Sequence, residues 1–240
     1  MPDNLDANRP AKTAAFFDVD GTLADTTIAH YFRYFMLQRL PPLLGRIWYA
    51  GFLARCGFYI LLDKIDRGRL NTVFYRNYGG LPVADIKAMV EECHRQVLVP
   101  RQFAEAAECV EHHRAAGDLV VLVTGSLDFI IGPLARELGA GRVVAATLTE
   151  RDGRFTGKLA GPPIGAGEKA RRMRELAASD ALDLSRSHAY GDSISDLPML
   201  EAVGFPHAVN PDRGLTGIAR ARSWPIHLWT CPTGTARNGR

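Results

Sequence analysis

No two of the four cysteines, Cys56, Cys93, Cys109 and Cys231, stand close enough in the chain to make a CxxC pair. That argues against a zinc knuckle or a disulfide framework, and it leaves reduced thiols in a cytoplasmic protein as the expectation. The seven histidines include no HExxH pattern. His112 and His113 fall late in a helical stretch, where the helix dipole or solvent accounts for them. Dense basic tracts are missing as well: Arg171, Arg172 and Arg174 read as one solvated helix face. Nucleic acid is therefore not an expected partner, while the net charge of +3 suits an anionic substrate. Residues 1–11 lack the basic region and apolar run of a signal peptide and are expected to form a flexible tail. Neither an internal repeat nor a low-complexity tract occurs.

The 240 residues, 47% of them hydrophobic, are enough to bury a real core. Apolar runs at Ala14–Phe17, Leu119–Val123 and His188–Tyr190 read as buried strands, each broken by a polar turn. Shorter strand candidates are residues 142–145, 207–209 and 225–229. Helical patterns cover 101–116, 127–138, 167–178 and 195–203, the first two stopped by Gly117 and Gly139. Strands alternating with helices predict an α/β fold, a Rossmann-like parallel sheet with helices on both faces. Ligands of such sheets bind beyond the carboxyl ends of the strands.

Residues 26–100 interrupt the alternation and read as a helical cap inserted after the first strand. The catalytic core is then expected over 12–25 and 101–240. A small hairpin is expected over 149–157, with Asp152-Gly153 at its turn. Within the cap, residues 43–62 approach the length of a membrane span, but Arg46 and Arg55 interrupt them. Each arginine costs about 2.5–3.5 kcal/mol at mid-bilayer. On an ideal helix the two lie on opposite sides, so no clean amphipathic face is expected, and Gly51 and Gly57 are expected to break the helix. A packed helix pair is the preferred reading; contact of residues 43–62 with a membrane surface, giving a peripheral association, is the alternative.

Four clusters carry chemistry. In Asp18-Val19-Asp20-Gly21-Thr22, residues two apart at a strand end point to one side, so Asp18 and Asp20 share the cleft. Close carboxylates repel unless a cation lies between them, and Mg²⁺, a hard ion that takes carboxylates, water and phosphate, answers this. A D-x-D alone also occurs in ordinary turns and in sugar-nucleotide enzymes. Thr124-Gly125-Ser126 offers hydroxyls and backbone N–H groups to a phosphate, or Ser126 simply caps a helix. Lys169 in a first helical turn runs against the helix dipole, which points to neutralisation of phosphate, although surface lysines are common. Asp192 and Asp196, in Gly191-Asp192-Ser193-Ile194-Ser195-Asp196, lie one turn apart and can approach one metal, or mark a capped helix start.

Together DVDGTLAD, VTGS, GEKA and GDSISDLPML resemble the motifs of the haloacid dehalogenase superfamily, over about residues 14–25 and 105–210. The arrangement is most similar to its phosphoserine-phosphatase-like branch. The resemblance implies that Asp18 is the nucleophile, forming an aspartyl-phosphate, and that Asp20 is the general acid and base. It implies phosphate binding by the Thr124-Gly125-Ser126 turn and Lys169. It places Mg²⁺ on Asp18, Asp192 and the backbone carbonyl of Asp20, with Asp196 and Ser195 in support. The expected activity is Mg-dependent hydrolysis of a small or lipid-like phosphomonoester. A phosphotransferase on the same intermediate and a non-catalytic phosphate-binding scaffold are the alternatives. In one place the sequence departs from that branch. Nine residues after the nucleophile, phosphoserine phosphatases carry a glutamate that reads the substrate amine; here the residue is Thr27, which argues against phosphoserine. Oligomeric state is not legible.

Overall fold

In the computed structural model, which describes residues 12–65 and 67–232, the chain enters through a fully buried strand, β1 (Ala14–Phe17). The expected tail at residues 1–11 lies outside the described residues. From β1 the chain leaves the sheet for α1 (Ile28–Arg39), α2 (Pro42–Ile65), α3 (Arg67–Tyr75), α4 (Val83–Ala88) and α5 (Val90–Cys93). It returns through α6 (Ala104–Ala116) to β2 (Leu119–Leu127), α7 (Asp128–Glu137) and β3 (Arg142–Ala146). A hairpin of β4 (Leu148–Arg151) and β5 (Arg154–Leu159) leads into α8 (Ala166–Asp180) and β6 (His188–Gly191). The described chain closes with α9 (Leu197–Leu200), β7 (Phe205–Val209), α10 (Arg213–Ala221) and β8 (Ile226–His227).

Six strands form one parallel sheet in the order β3-β2-β1-β6-β7-β8. Alternate residues of the central strands supply the two faces. Phe17, Val120, Leu122 and Tyr190 join one apolar cluster, which continues into the helices inserted after β1. Phe16, Val121, Val123 and Ala189 join the other, with Met173, Met199 and Leu215 from the helices beyond β5. Burial on both faces is why these strands read as unbroken apolar runs. The fold is thus a Rossmann-like α/β sheet with an inserted helical cap and a small hairpin. Asp152 and Gly153 both take positive φ, 51° and 71°, as the Asp-Gly hairpin turn requires. The hairpin ties the cap to α7: Phe155 stacks on Phe129 at 5.4 Å and meets Tyr78 edge-on at 6.1 Å.

Four local expectations need correcting. Helix α2 is one continuous helix of 24 residues rather than a pair, with Gly51 and Gly57 inside it. Both glycines face open space, and each weakens the helix by about 1 kcal/mol. Packing on the opposite side offsets this: Trp48 stacks on Phe52 at 4.9 Å, and Tyr59 meets Phe74 at 5.2 Å. Strand β2 does not stop at Val123; it runs through Thr124-Gly125-Ser126 to Leu127, with its register against β3 shifting on the way. Strand β8 is only two residues long. His113 is buried rather than solvated, its Nδ1 2.7 Å from Asp118 and its Nε2 2.8 Å from the Tyr190 hydroxyl.

Cross-strand neighbours Phe17, Tyr190 and His207 stack as successive rungs, at 4.5 Å and 4.4 Å. His207 also bridges His188 at 3.0 Å and His227 at 3.1 Å. Burial, reinforced by these neighbouring imidazoles, pushes His207 down to about 3. His188 and His227 are lowered as well, chiefly by burial. In the unfolded chain these rings protonate near pH 6.5. The stack therefore stabilises fully above that pH, and the contribution is lost as pH falls from about 6.5 toward 3. Allowing for partial solvent contact, His207 accounts for roughly 1 kcal/mol per pH unit in that window. Urea midpoints measured at pH 7.5 and pH 5 are expected to show a large drop that His207→Gln flattens; an equal drop in the variant would refute this account.

Candidate active site

Strands β1 and β6 are adjacent and parallel, with Phe17 opposite Tyr190, so the chain leaves both at the same edge of the sheet. Asp18 follows Phe17 and donates its backbone N–H to Tyr190 O at 3.0 Å. Asp192 follows Gly191 at the end of β6. A short turn then brings Asp196 back beneath Asp192, where its Oδ2 accepts from the Asp192 and Ser193 backbone N–H groups at 3.3 and 3.2 Å. Only glycine at 191 permits this return, since a Cβ there would lie 2.7 Å from the Asp196 Cβ. The carboxylates of Asp18, Asp192 and Asp196 consequently lie within 4.8 Å of one another, all buried.

Lys169, in the first turn of α8, is buried against this group. Its ammonium donates to Asp18 Oδ1 at 2.5 Å and to Asp196 Oδ1 at 2.7 Å. Within this group Asp18 is the carboxyl shifted upward. Burial pushes its carboxyl up to about 6, against the pull of Lys169 and with the push of Asp196. At Asp196 burial is outweighed by Lys169, which holds the acid below the usual carboxylate range. Burial likewise disfavours the Lys169 charge, but the two carboxylates beside it raise its pKa overall. Three buried carboxylates this close together fit a small divalent cation such as Mg²⁺.

Asp20 turns toward the cap. Its Oδ1 accepts from Thr26 Oγ1 at 2.7 Å and from the Tyr31 hydroxyl at 3.1 Å. Its Oδ2 accepts from Ser126 Oγ at 2.5 Å. Three hydroxyl donors thus fix the carboxylate, two of them from the segment that follows β1. One cleft is lined by Asp18, Asp20, Thr124, Gly125, Lys169, Ser195 and Asp196 from the sheet edge. Thr27, Ile28, Arg67, Leu70 and Asn71 wall it from the cap. Of the residues singled out in the sequence, Ser126 and Asp192 do not line the cleft. Ser126 lies beneath it, bonded to Asp20, and Asp192 sits in the carboxylate group at its floor.

Sequence reasoning missed Thr26, Tyr31, Asn71 and Tyr75. They come from the insert, where no local pattern marks a residue that will fold back over a strand end. Tyr75 donates to Gly125 O at 2.6 Å, and Asn71 Nδ2 to Ile164 O at 3.4 Å. The seam is tight at Gly125, where a Cβ would lie 2.4 Å from Asn71 Nδ2 and 3.0 Å from Ile164 O. Gly125→Ala is expected to destabilise the protein by about 1–3 kcal/mol through overpacking and to raise KM for any ligand of the cleft. Unchanged urea midpoint and KM in that variant would show that the seam has slack.

A carboxylate trio, a buried lysine and the hydroxyls at the end of β2, all at the C-terminal edge of a parallel sheet, define a phosphate-ester hydrolase. The comparisons agree. Residues 15–201 match the haloacid dehalogenase-like hydrolases. A probable phosphatase of Mycobacterium tuberculosis is 40% identical over 230 residues, covering 92% of this chain and 77% of that protein. The phosphoserine phosphatase SerB1 of the same organism is 32% identical over 231 residues, covering 94% and 74% respectively. A crystal structure of a Bordetella pertussis protein of unknown function superposes with a TM-score of 0.77 at 30% identity, covering 91% of this chain and 99% of that one. The chain belongs to the haloacid dehalogenase-like hydrolase family, in its phosphoserine-phosphatase-like branch, and is a phosphatase.

Proposed function

We propose that this phosphatase hydrolyses a small or lipid-like phosphomonoester through an aspartyl-phosphate on Asp18, with Mg²⁺ as cofactor. The observation that carries the reading is the buried group of three carboxylates, Asp18, Asp192 and Asp196, with Lys169 bonded to two of them. Asp18, Asp192 and the backbone carbonyl of Asp20 would hold the ion, with Asp196 fixing Lys169 beside them. When bound, the cation neutralises the phosphate oxygens and the nucleophile together.

The protein's own groups account for the rest. Lys169 and the Thr124-Gly125 segment, which line the cleft, would meet the peripheral phosphate oxygens, where charge sits in the transition state, with Ser126 donating its backbone N–H to Thr124 Oγ1 behind them. An Asp18 oxygen forms a bond to phosphorus as the bond to the leaving oxygen breaks. Asp20 gives that oxygen its proton. In the second half Asp20 takes a proton from water, whose oxygen attacks phosphorus and releases phosphate, restoring Asp18. Ser126, Thr26 and Tyr31 act as positioning residues for Asp20. The domain reading follows: residues 12–25 and 101–240 carry this chemistry, while 26–100 cap it and read the leaving group.

At the cap wall, Thr27 stands where an ammonium-reading acid would be, and its partner is His30. His30 Nδ1 lies 3.0 Å from both the Thr27 backbone nitrogen and Oγ1, and burial followed by Arg101 and Arg33 keeps the ring below the usual histidine pKa. The cap wall of Thr27, Ile28, Arg67, Leu70 and Asn71 offers no carboxylate to an ammonium next to the phosphate, which speaks against phosphoserine for this chain. The test is a panel of phosphomonoesters assayed with Mg²⁺ and with EDTA. Turnover is expected only with the metal, and phosphoserine is expected among the poorer substrates. Full activity in EDTA would remove the metal from the scheme, and a strong preference for phosphoserine would remove the reading of Thr27.

A further inference from the structure

Helix α2 has two apolar stripes, and only one of them meets the protein. Trp48, Phe52, Cys56 and Tyr59, spaced at helical intervals, pack inward on the cap. On the opposite side Leu43, Ile47, Ala50, Ala54, Phe58 and Leu61 follow the i, i+4, i+7, i+11, i+15, i+18 spacing of one continuous face. That face is open to solvent: Leu43 is 70% exposed, Ile47 64%, Phe58 56% and Leu61 59%. Leu44, Leu53 and Ile60, also exposed, widen it. At 1.5 Å per residue the stripe is about 27 Å long. Exposed apolar surface of this extent on a folded protein marks a contact site.

The charges say which contact. From Thr26 to Leu62 the sequence holds four arginines, Arg33, Arg39, Arg46 and Arg55, and no aspartate or glutamate. Arg39 pairs with Asp85 and Arg33 lies over Tyr49. Arg46 and Arg55 sit on the two opposite shoulders of the exposed stripe, and both are exposed. An arginine at each shoulder is poorly placed for a bilayer span, and among the described residues no helix is long and apolar enough to cross one. It is well placed for a helix lying in the interface, where the stem follows the apolar stripe and the guanidinium reaches the phosphate level. A second copy of this chain would instead bring the same two arginines and, over residues 43–62, no carboxylate to meet them.

We infer that α2 docks flat on an anionic membrane surface, through the stripe from Leu43 to Leu61 with Arg46 and Arg55 at its edges. The chain then enters α3, whose Arg67, Leu70 and Asn71 wall the cleft, so the same cap would hold the cleft close to the surface. That last consequence rests on the phosphatase reading above; the docking does not.

The experiment is co-sedimentation of the full chain with vesicles of phosphatidylcholine alone or with phosphatidylglycerol mixed in. Two interfacial arginines at about 1 kcal/mol each correspond to roughly 30-fold tighter binding to the anionic vesicles, a preference that salt removes. The double variant Ile47→Glu/Phe58→Glu is expected to lose vesicle binding, while its circular dichroism and its hydrolysis of a soluble chromogenic phosphate ester stay at wild-type level. Asp18→Asn is expected to bind vesicles as wild type does, so a failure of the catalytic reading leaves this result intact. Absence of wild-type binding to the anionic vesicles, or binding undiminished in the double variant, overturns the inference. A concentration-dependent dimer that the double variant converts to monomer, without vesicle binding, overturns it in favour of self-association.

Discussion

Asp18→Asn is expected to lower kcat for any phosphomonoester by at least about 10⁴-fold while leaving the protein folded. An amide nitrogen or oxygen does not form the phosphoryl bond that a carboxylate oxygen forms, so the two-step route closes at its first step. The fold should survive for reasons visible in the structure. Asparagine has the same shape, and the backbone N–H of residue 18 keeps its bond to Tyr190 O. Lys169 keeps Asp196 as a partner at 2.7 Å. The substitution also relieves a carboxyl that burial drives up to about 6. The metal-free variant is therefore expected to unfold at a urea concentration no lower than wild type. Single-turnover assays with a chromogenic ester and a urea titration check both halves. Metal-dependent hydrolysis persisting within tenfold of wild type would show that some other group is the nucleophile.

Lys169→Met is the second large effect, and it differs in kind, because stability and activity should fall together. Methionine fills much of the lysine volume but leaves Asp18 and Asp196 buried without their shared ammonium. Breaking a buried ion pair from one side destabilises by about 3–5 kcal/mol. Loss of one electrostatic contact to the transferring group lowers kcat by about 10²–10³-fold. Adding Mg²⁺ is expected to restore part of the lost stability, because a ligand of the carboxylate group binds only the folded chain. Adding Asp196→Asn to Lys169→Met should also restore part of it, since the second change removes the charge that the first left unpaired. Equal urea midpoints for wild type and Lys169→Met, with and without metal, would mean that the lysine is solvated in solution and takes no part in holding the carboxylates.

The strands were legible because a parallel sheet buried on both faces leaves unbroken apolar runs. The candidate site residues Asp18, Thr124 and Asp192 stood out for the same reason, each directly following an apolar run. Helix α2 was misread as two helices because glycine propensity is local, whereas the packing of Trp48, Phe52 and Tyr59 that offsets it is not. The arginines at 46 and 55 were read as spoiling an amphipathic face. The structure shows a helix with two apolar stripes and these arginines on the shoulders between them. His113 was misread because nothing local foretells that α6 sets it against Asp118 and Tyr190.

Periodicity and motifs a few residues long were enough for the parallel sheet, the family and the identity of the charged residues at the strand ends. Packing in three dimensions was needed to bring Ser126, Thr26 and Tyr31 onto Asp20, and to set Lys169 between Asp18 and Asp196. It alone also decided which stripe of α2 faces solvent. Those relations join residues up to 151 positions apart, and only packing of the cap and helices against the sheet brings them within hydrogen-bond reach.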